Sequence, residues 1–117
     1  MKKKILIVED NFLLAEELSA LVEQELNATA VMTDTAAAAI ELLPNAVNLA
    51  FLDIEVLDGN TYPVARKLAE NQIPFIFISG NDQQTIPHEF RHLPFLAKPF
   101  LHGKLVRLAN SLMAPGN

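Results

Sequence analysis

The residues with chemistry to offer in this chain stand where apolar runs stop. Glu9 and Asp10 follow Ile5 to Val8, Asp53 follows Leu49 to Leu52, Ser79 precedes Gly80, and Lys98 follows Phe95-Leu96-Ala97 and precedes Pro99. If folding gathers them, the carboxylates repel: two unit charges ~4 Å apart at an effective dielectric of ~20 cost about 4 kcal/mol, so the cluster needs a proton, a lysine or a cation. A hard divalent ion suits oxygen ligands. Mg2+ commonly takes one or two carboxylates and leaves its other positions to water or phosphate oxygens, and Mn2+ is a second fit. Metal, ammonium and hydroxyl around one protruding carboxylate make a site for the charge of a phosphoryl group, with Asp53 as its acceptor.

The elements that must position these groups follow from hydropathy patterning. Apolar texture over residues 5–8, 28–32, 47–54, 75–78 and 94–97 reads as five strands, and its continuity implies burial on both faces, as in a parallel sheet covered by helices. After Asp10 as a cap, Leu14, Leu18, Leu21 and Val22 keep helical spacing. Thr35 caps an alanine-rich helix that runs to Leu43 and stops before Pro44, and Thr61 caps a helix from Tyr62 to Glu70. Leu101, Leu105, Leu108 and Leu112 mark the last helix, whereas residues 82–92, with Pro87 and few core residues, allow only a short one. Alternating strands and helices with right-handed crossovers predict an α/β, doubly wound, five-stranded parallel sheet of order 2-1-3-4-5, the flavodoxin-like arrangement. Its ligand crevice opens at the carboxyl ends of strands one and three, where Glu9, Asp10 and Asp53 end their runs.

Ile-Leu-Ile-Val-Glu-Asp at 5–10, Asp53 with Asp58-Gly59 after it, Ser79 and Lys98-Pro99 together resemble the receiver domain of two-component response regulators over nearly the whole chain. The resemblance implies the receiver fold and, position by position, a phosphorylated Asp53 with Mg2+ on Glu9, Asp10, Asp53 and the Glu55 backbone carbonyl. It implies Ser79 and Lys98 as phosphoryl ligands, Phe95 as the aromatic that turns inward on phosphorylation, and a cis peptide between Lys98 and Pro99. Asp58 and Gly59 follow Asp53 by five and six residues with no intervening proline, where receivers commonly place this pair seven and eight on, so the loop is shortened. Tyr62-Pro63-Val64-Ala65, with Ile86-Pro87, Phe90-Arg91 and Lys98-Pro99-Phe100, resembles a subgroup of short receivers common in alphaproteobacteria.

Other features weigh less. His88-Glu89-Phe90-Arg91-His92 matches a zinc-hydrolase pattern, but Pro87 and Pro94 crowd it, no third ligand is evident, and surface histidines are the simpler reading. Lys2 to Lys4 read as a solvated strand entrance. Phe12 and Leu13 lie off the apolar stripe of the first helix, beside the expected site. With Phe100 and Leu101 on the opposite rim they form a candidate docking surface for the histidine-bearing helical bundle that the resemblance implies.

Half of the 117 residues are apolar and a fifth charged, which suits one globular domain, expected here as a single receiver over 1–117 with no output domain. Fourteen acidic against nine basic residues, a formal charge of -5, disfavour nucleic acid, and no run is long enough to span a membrane. The absence of cysteine and of an export signal fits a cytoplasmic protein, so the sequon at Asn27 is read as chance. With no P-loop, the phosphoryl group must arrive on a histidine kinase or histidine phosphotransfer partner, or on a small donor, and output is by contact with a target or onward relay. The chain is thus expected to be a signalling phosphoacceptor and not an enzyme acting on other molecules. Two other readings stand beside it: a receiver-like module that binds partners without phosphorylation, and an aspartate-nucleophile phosphatase suggested by Asp53-Ile54-Glu55-Val56.

Overall fold

The computed structural model describes residues 2–43, 47–80 and 83–114. The expected helix stop at Pro44, the opening residue Asp82 and the last three positions lie outside them. Five strands, β1 (Lys3–Val8), β2 (Ala28–Thr33), β3 (Leu49–Asp53), β6 (Phe75–Ser79) and β7 (Phe95–Ala97), pair in parallel in the order β2-β1-β3-β6-β7. This is the predicted 2-1-3-4-5 order, interrupted in sequence by a small hairpin, β4 (Glu55–Val56) and β5 (Gly59–Asn60), which the patterning does not announce.

The helices are α1 (Phe12–Glu25), α2 (Ala36–Leu42), α3 (Tyr62–Glu70) and α4 (His102–Met113). Side chains alternate across the sheet because successive Cβ atoms in a strand point to opposite faces. Ile5, Ile7, Phe51, Ile76 and Ile78 accordingly pack with Leu18, Leu21 and Val22 of α1 and with Leu105 and Ala109 of α4. Leu6, Val8, Ala50, Leu52 and Phe77 face the other way, onto Ala39 of α2, Val64, Ala65 and Leu68 of α3, and Ile86 and Phe90. Both faces of the sheet are covered, which is why its strands read as unbroken apolar runs.

Two local expectations need correction. Asn11, not Asp10, caps α1: its side chain accepts from the Leu14 N–H at 3.2 Å, leaving the Asp10 carboxylate exposed at the site. Thr61 stands at the start of α3 but makes no side-chain cap; its hydroxyl donates instead to the Asp53 carbonyl at 2.7 Å. The short helix expected over residues 82–92 takes the form, among the described residues, of two 3-10 turns, Gln83–Thr85 and His88–Phe90.

Arg91 holds these turns by donating to the carbonyls of Ile86 (3.0 Å) and Gln84 (3.1 Å), while Phe90 inserts among Tyr62, Phe75 and Phe77 at centroid distances of 5.8, 6.3 and 5.5 Å. No helix among the described residues is long and apolar enough to cross a membrane. Phe77 is fully buried at the centre of this aromatic cluster, whereas Leu13 is 79% exposed. Truncation of Phe77 to Ala is expected to cost ~3–5 kcal/mol and of Leu13 to Ala less than ~0.5 kcal/mol, measured by urea unfolding.

Candidate functional site

The carboxyl ends of β1 and β3 are side by side because Val8 pairs with Leu52, so the residues that follow them emerge together. One carboxylate oxygen from each of Glu9, Asp10 and Asp53 lies within 4.8 Å of the others. Their environments differ. Glu9 is 4% exposed, Asp53 partly buried and Asp10 exposed, so the cluster runs from the interior out to solvent.

Lys98 reaches this cluster from the far side of the sheet. Asp53 pairs with Ile78, Ser79 pairs with Ala97, and the Lys98 N–H donates to the Ser79 carbonyl at 2.8 Å, so β6 carries β7 into line with β3. The Lys98 ammonium then donates to Glu9 Oε1 and Asp53 Oδ2, both at 3.2 Å. The Lys98-Pro99 peptide is cis, as the resemblance implies. Ser79, 2% exposed, ends β6 one residue beyond the Asp53–Ile78 pair, at the same edge.

Electrostatics follow from burial. Burial pushes the Glu9 carboxyl up to about 7, helped by the Asp53 carboxylate and opposed by the Asn11 N–H on Glu9 Oε2 and by the Lys98 charge. Burial alone would pull the Lys98 ammonium down, but the Asp53 and Glu9 carboxylates outweigh it and hold Lys98 above its ordinary value. The Lys98 charge and the raised Glu9 carboxyl thus both offset the repulsion among the acids.

A hard divalent ion fits this donor set. The ligand atoms are oxygens, they converge within the span of one coordination sphere, and exposed Asp10 leaves the outer side accessible. Glu55, the other expected ligand through its backbone carbonyl, lies two residues past Asp53 in β4 with its side chain exposed.

The remaining predicted residues fall in two groups. Phe12, Leu13 and Leu101 are 72%, 79% and 77% exposed, and half-buried Phe100 packs against the α1–α4 face. An open pocket of ≈ 330 Å³ is lined by Leu14, Glu17, Lys98, Pro99 and Phe100. Phe95 is half-buried at the edge of the opposite cluster, three residues from Lys98. His88 and His92 are both exposed on the 3-10 segment and join no group of metal-ligating side chains among the described residues.

Two residues have roles that sequence reasoning missed. Buried Thr61 grips the Asp53 carbonyl across the hairpin, and Asp58, expected only as part of an Asp-Gly pair, accepts from the N–H groups of Ala36 and Ala37 in α2. Neither has a local signal, since each partner lies on a different element.

The raised Glu9 carboxyl makes stability depend on pH. The folded chain keeps this proton to about pH 7, while the unfolded chain releases it near the ordinary 4.5. Its contribution is therefore fully present below pH ~4.5 and declines as pH rises towards 7. In metal-free buffer, urea unfolding of the wild type is expected to show this decline, and Glu9→Gln to lose it.

Comparison with known proteins agrees with this geometry. The response regulator receiver domain family matches residues 5–110. Among solved structures, SdrG from Sphingomonas melonis Fr1 is 34% identical with a TM-score of 0.82, covering 97% of this chain and 98% of that one. The non-phosphorylated HemR receiver domain from Leptospira biflexa is 26% identical with a TM-score of 0.83, covering 99% and 98%. The sensory transduction protein LytT of Enterococcus faecalis is 32% identical over 109 residues, 89% of this chain and 45% of that protein. This chain thus spans less than half the length of the curated relatives it matches. A doubly wound sheet with its acids, lysine and hydroxyl at one edge, and a family match over nearly all of its length, place this chain in the receiver-domain family of two-component response regulators.

Proposed function

We propose that this chain accepts a phosphoryl group on Asp53 from a phosphohistidine of a kinase or phosphotransfer protein. The observation that carries the reading is the ammonium of Lys98 set 3.2 Å from both Glu9 and Asp53 beside a third carboxylate. An Asp53 oxygen is the nucleophile: its bond to phosphorus forms as the phosphorus–imidazole bond breaks, and the electron pair leaves with the imidazole nitrogen. Lys98, already between the two acids, would follow the added charge onto the phosphoryl oxygens, and the Ser79 hydroxyl would donate to another. Glu9, Asp10, Asp53 and the Glu55 carbonyl would hold Mg2+, which when bound neutralises the phosphoryl oxygens as they approach.

The exposed apolar side chains beside the site support the partner class. Phe12 and Leu13 at the start of α1 and Leu101 before α4 are the two exposed rims, and Leu14 and Glu17 of α1 line a pocket with Lys98, Pro99 and Phe100. A helical bundle carrying the phosphohistidine would cover these rims while its imidazole reached Asp53.

The phosphoryl group carries about -1.5 to -2 of charge in place of the single charge of the Asp53 carboxylate, and its oxygens draw on Lys98 and Ser79 and so on the β6–β7 edge. Phe95, half-buried on that edge, is the side chain proposed to pack inward, with the 3-10 segment as the surface it remakes. Output is then by contact with a target protein or by onward transfer.

Two experiments test the reading. Radiolabel supplied on a set of phosphorylated histidine kinases is expected on the wild type and absent from Asp53→Asn; label retained by the variant defeats the assignment. Because Glu9 keeps a proton to about pH 7, an entering ion must displace it. Mg2+ affinity measured by calorimetry is thus expected to rise from pH 6 to pH 8 by up to about tenfold per unit below 7, with proton release.

A further inference from the structure

We propose that Asp58 is a positioning residue for the metal site, setting the Glu55 carbonyl by tying the β4–β5 hairpin to the first turn of α2; this rests on the Mg2+-dependent phosphoacceptor reading above. The hairpin has little of its own to hold it. Its ladder is two residues long on each side, Glu55 opposite Asn60 and Val56 opposite Gly59, and so short a ladder is not stable in water by itself. Ile54 and Val56 anchor its base in the core at 4% and 8% exposure, and Thr61 closes it by donating its N–H to the Ile54 carbonyl (2.9 Å) and its hydroxyl to the Asp53 carbonyl (2.7 Å). These contacts fix the root of the hairpin and leave its tip, Leu57 and Asp58, to be held from outside.

Asp58 supplies that hold. Its Oδ1 accepts from the Ala36 N–H at 2.8 Å and its Oδ2 from the Ala37 N–H at 3.1 Å. The Thr35 hydroxyl accepts from the Ala38 N–H at 3.1 Å, and the Ala39 N–H donates to the Thr35 carbonyl at 3.2 Å. All four leading N–H groups of α2 are thereby satisfied, two of them by a residue of the metal-site loop. Gly59, at φ +130, permits the turn that aims Asp58 at the helix. The tip also donates its Leu57 N–H towards the Asp34 carbonyl at 3.4 Å, so it lies against the end of β2 and the start of α2. Since Glu55 sits between the fixed root and the tied tip, its carbonyl has no independent freedom while both ends hold. Residues that orient a metal ligand from outside commonly shift affinity by about 10–100-fold when removed.

The test compares two ways of uncapping the same helix. Asp58→Ala removes the hairpin's tie, while Thr35→Ala removes the other cap of α2 and leaves the hairpin alone. Titration with MgCl2, followed by amide NMR, is expected to show about tenfold weaker binding for Asp58→Ala, a smaller loss for Asp58→Asn, which keeps one acceptor oxygen, and wild-type affinity for Thr35→Ala. The Ala36 and Ala37 amide signals should move with Mg2+ in the wild type and stay still in Asp58→Ala. Equal affinity in wild type and Asp58→Ala, or equal losses in Asp58→Ala and Thr35→Ala, would overturn the positioning role while leaving the metal site intact. Failure of the wild type itself to bind Mg2+ would instead remove the phosphoacceptor reading and this inference with it.

Discussion

The architecture of this protein's site answers one electrostatic problem: three carboxylates gathered at the edge of a parallel sheet. Lys98 stands between Glu9 and Asp53 at 3.2 Å from each, and Glu9 retains its proton to about pH 7. Neither alone would suffice, because one ammonium cannot neutralise three anions, and a buried carboxylate without a counter-charge takes up a proton. The result is a site whose charge is incompletely compensated and therefore receptive to a cation. A divalent ion that displaced the Glu9 proton would in turn leave room for a phosphoryl anion, so the same shortage of positive charge that burdens the fold prepares the chemistry.

Rigidity at this site comes from the sheet and adaptability from what surrounds it. The residues behind the acids, from Ile5 to Val8 and Leu49 to Leu52, are at most 1% exposed, and they are covered on both faces. The pieces that carry Glu55, Asp58, Phe90 and Phe95 are short: a two-residue ladder, two 3-10 turns and a three-residue edge strand. Such elements have few backbone bonds of their own and depend on side-chain ties such as Arg91 to the Ile86 carbonyl and Asp58 to Ala36 and Ala37. Elements of this kind open at lower free energy than core strands.

The loop that is shorter than in the receivers it resembles is not a gap in the site. It folds back as a hairpin, so Leu57 and Asp58 lie in its turn, Gly59 opens its second strand and the start of α3 is set by Thr61. The Thr61 hydroxyl grips the backbone of Asp53 itself, joining the end of β3 to the first turn of α3. The hairpin is thus tied directly to α2 and α3.

What the sequence determined by itself was the sheet and the strand-end residues. Apolar runs record burial on both faces, and a parallel order with right-handed crossovers leaves only one edge at which Glu9, Asp10, Asp53, Ser79 and Lys98 can meet. Local chemistry also announced Thr35 as a cap, because a hydroxyl three residues before its N–H partner is a short-range pattern. Only the tertiary structure decided that Asn11 caps α1, that Thr61 turns from its own helix to Asp53, that Asp58 caps a helix 22 residues earlier in the chain, and that residues 83–90 make 3-10 turns. In each case a lone polar side chain or a short segment had several partners within reach of its chemistry. Which one it took depended on where packing of the sheet and helices had already placed the backbone, and periodicity along the chain carries no record of that.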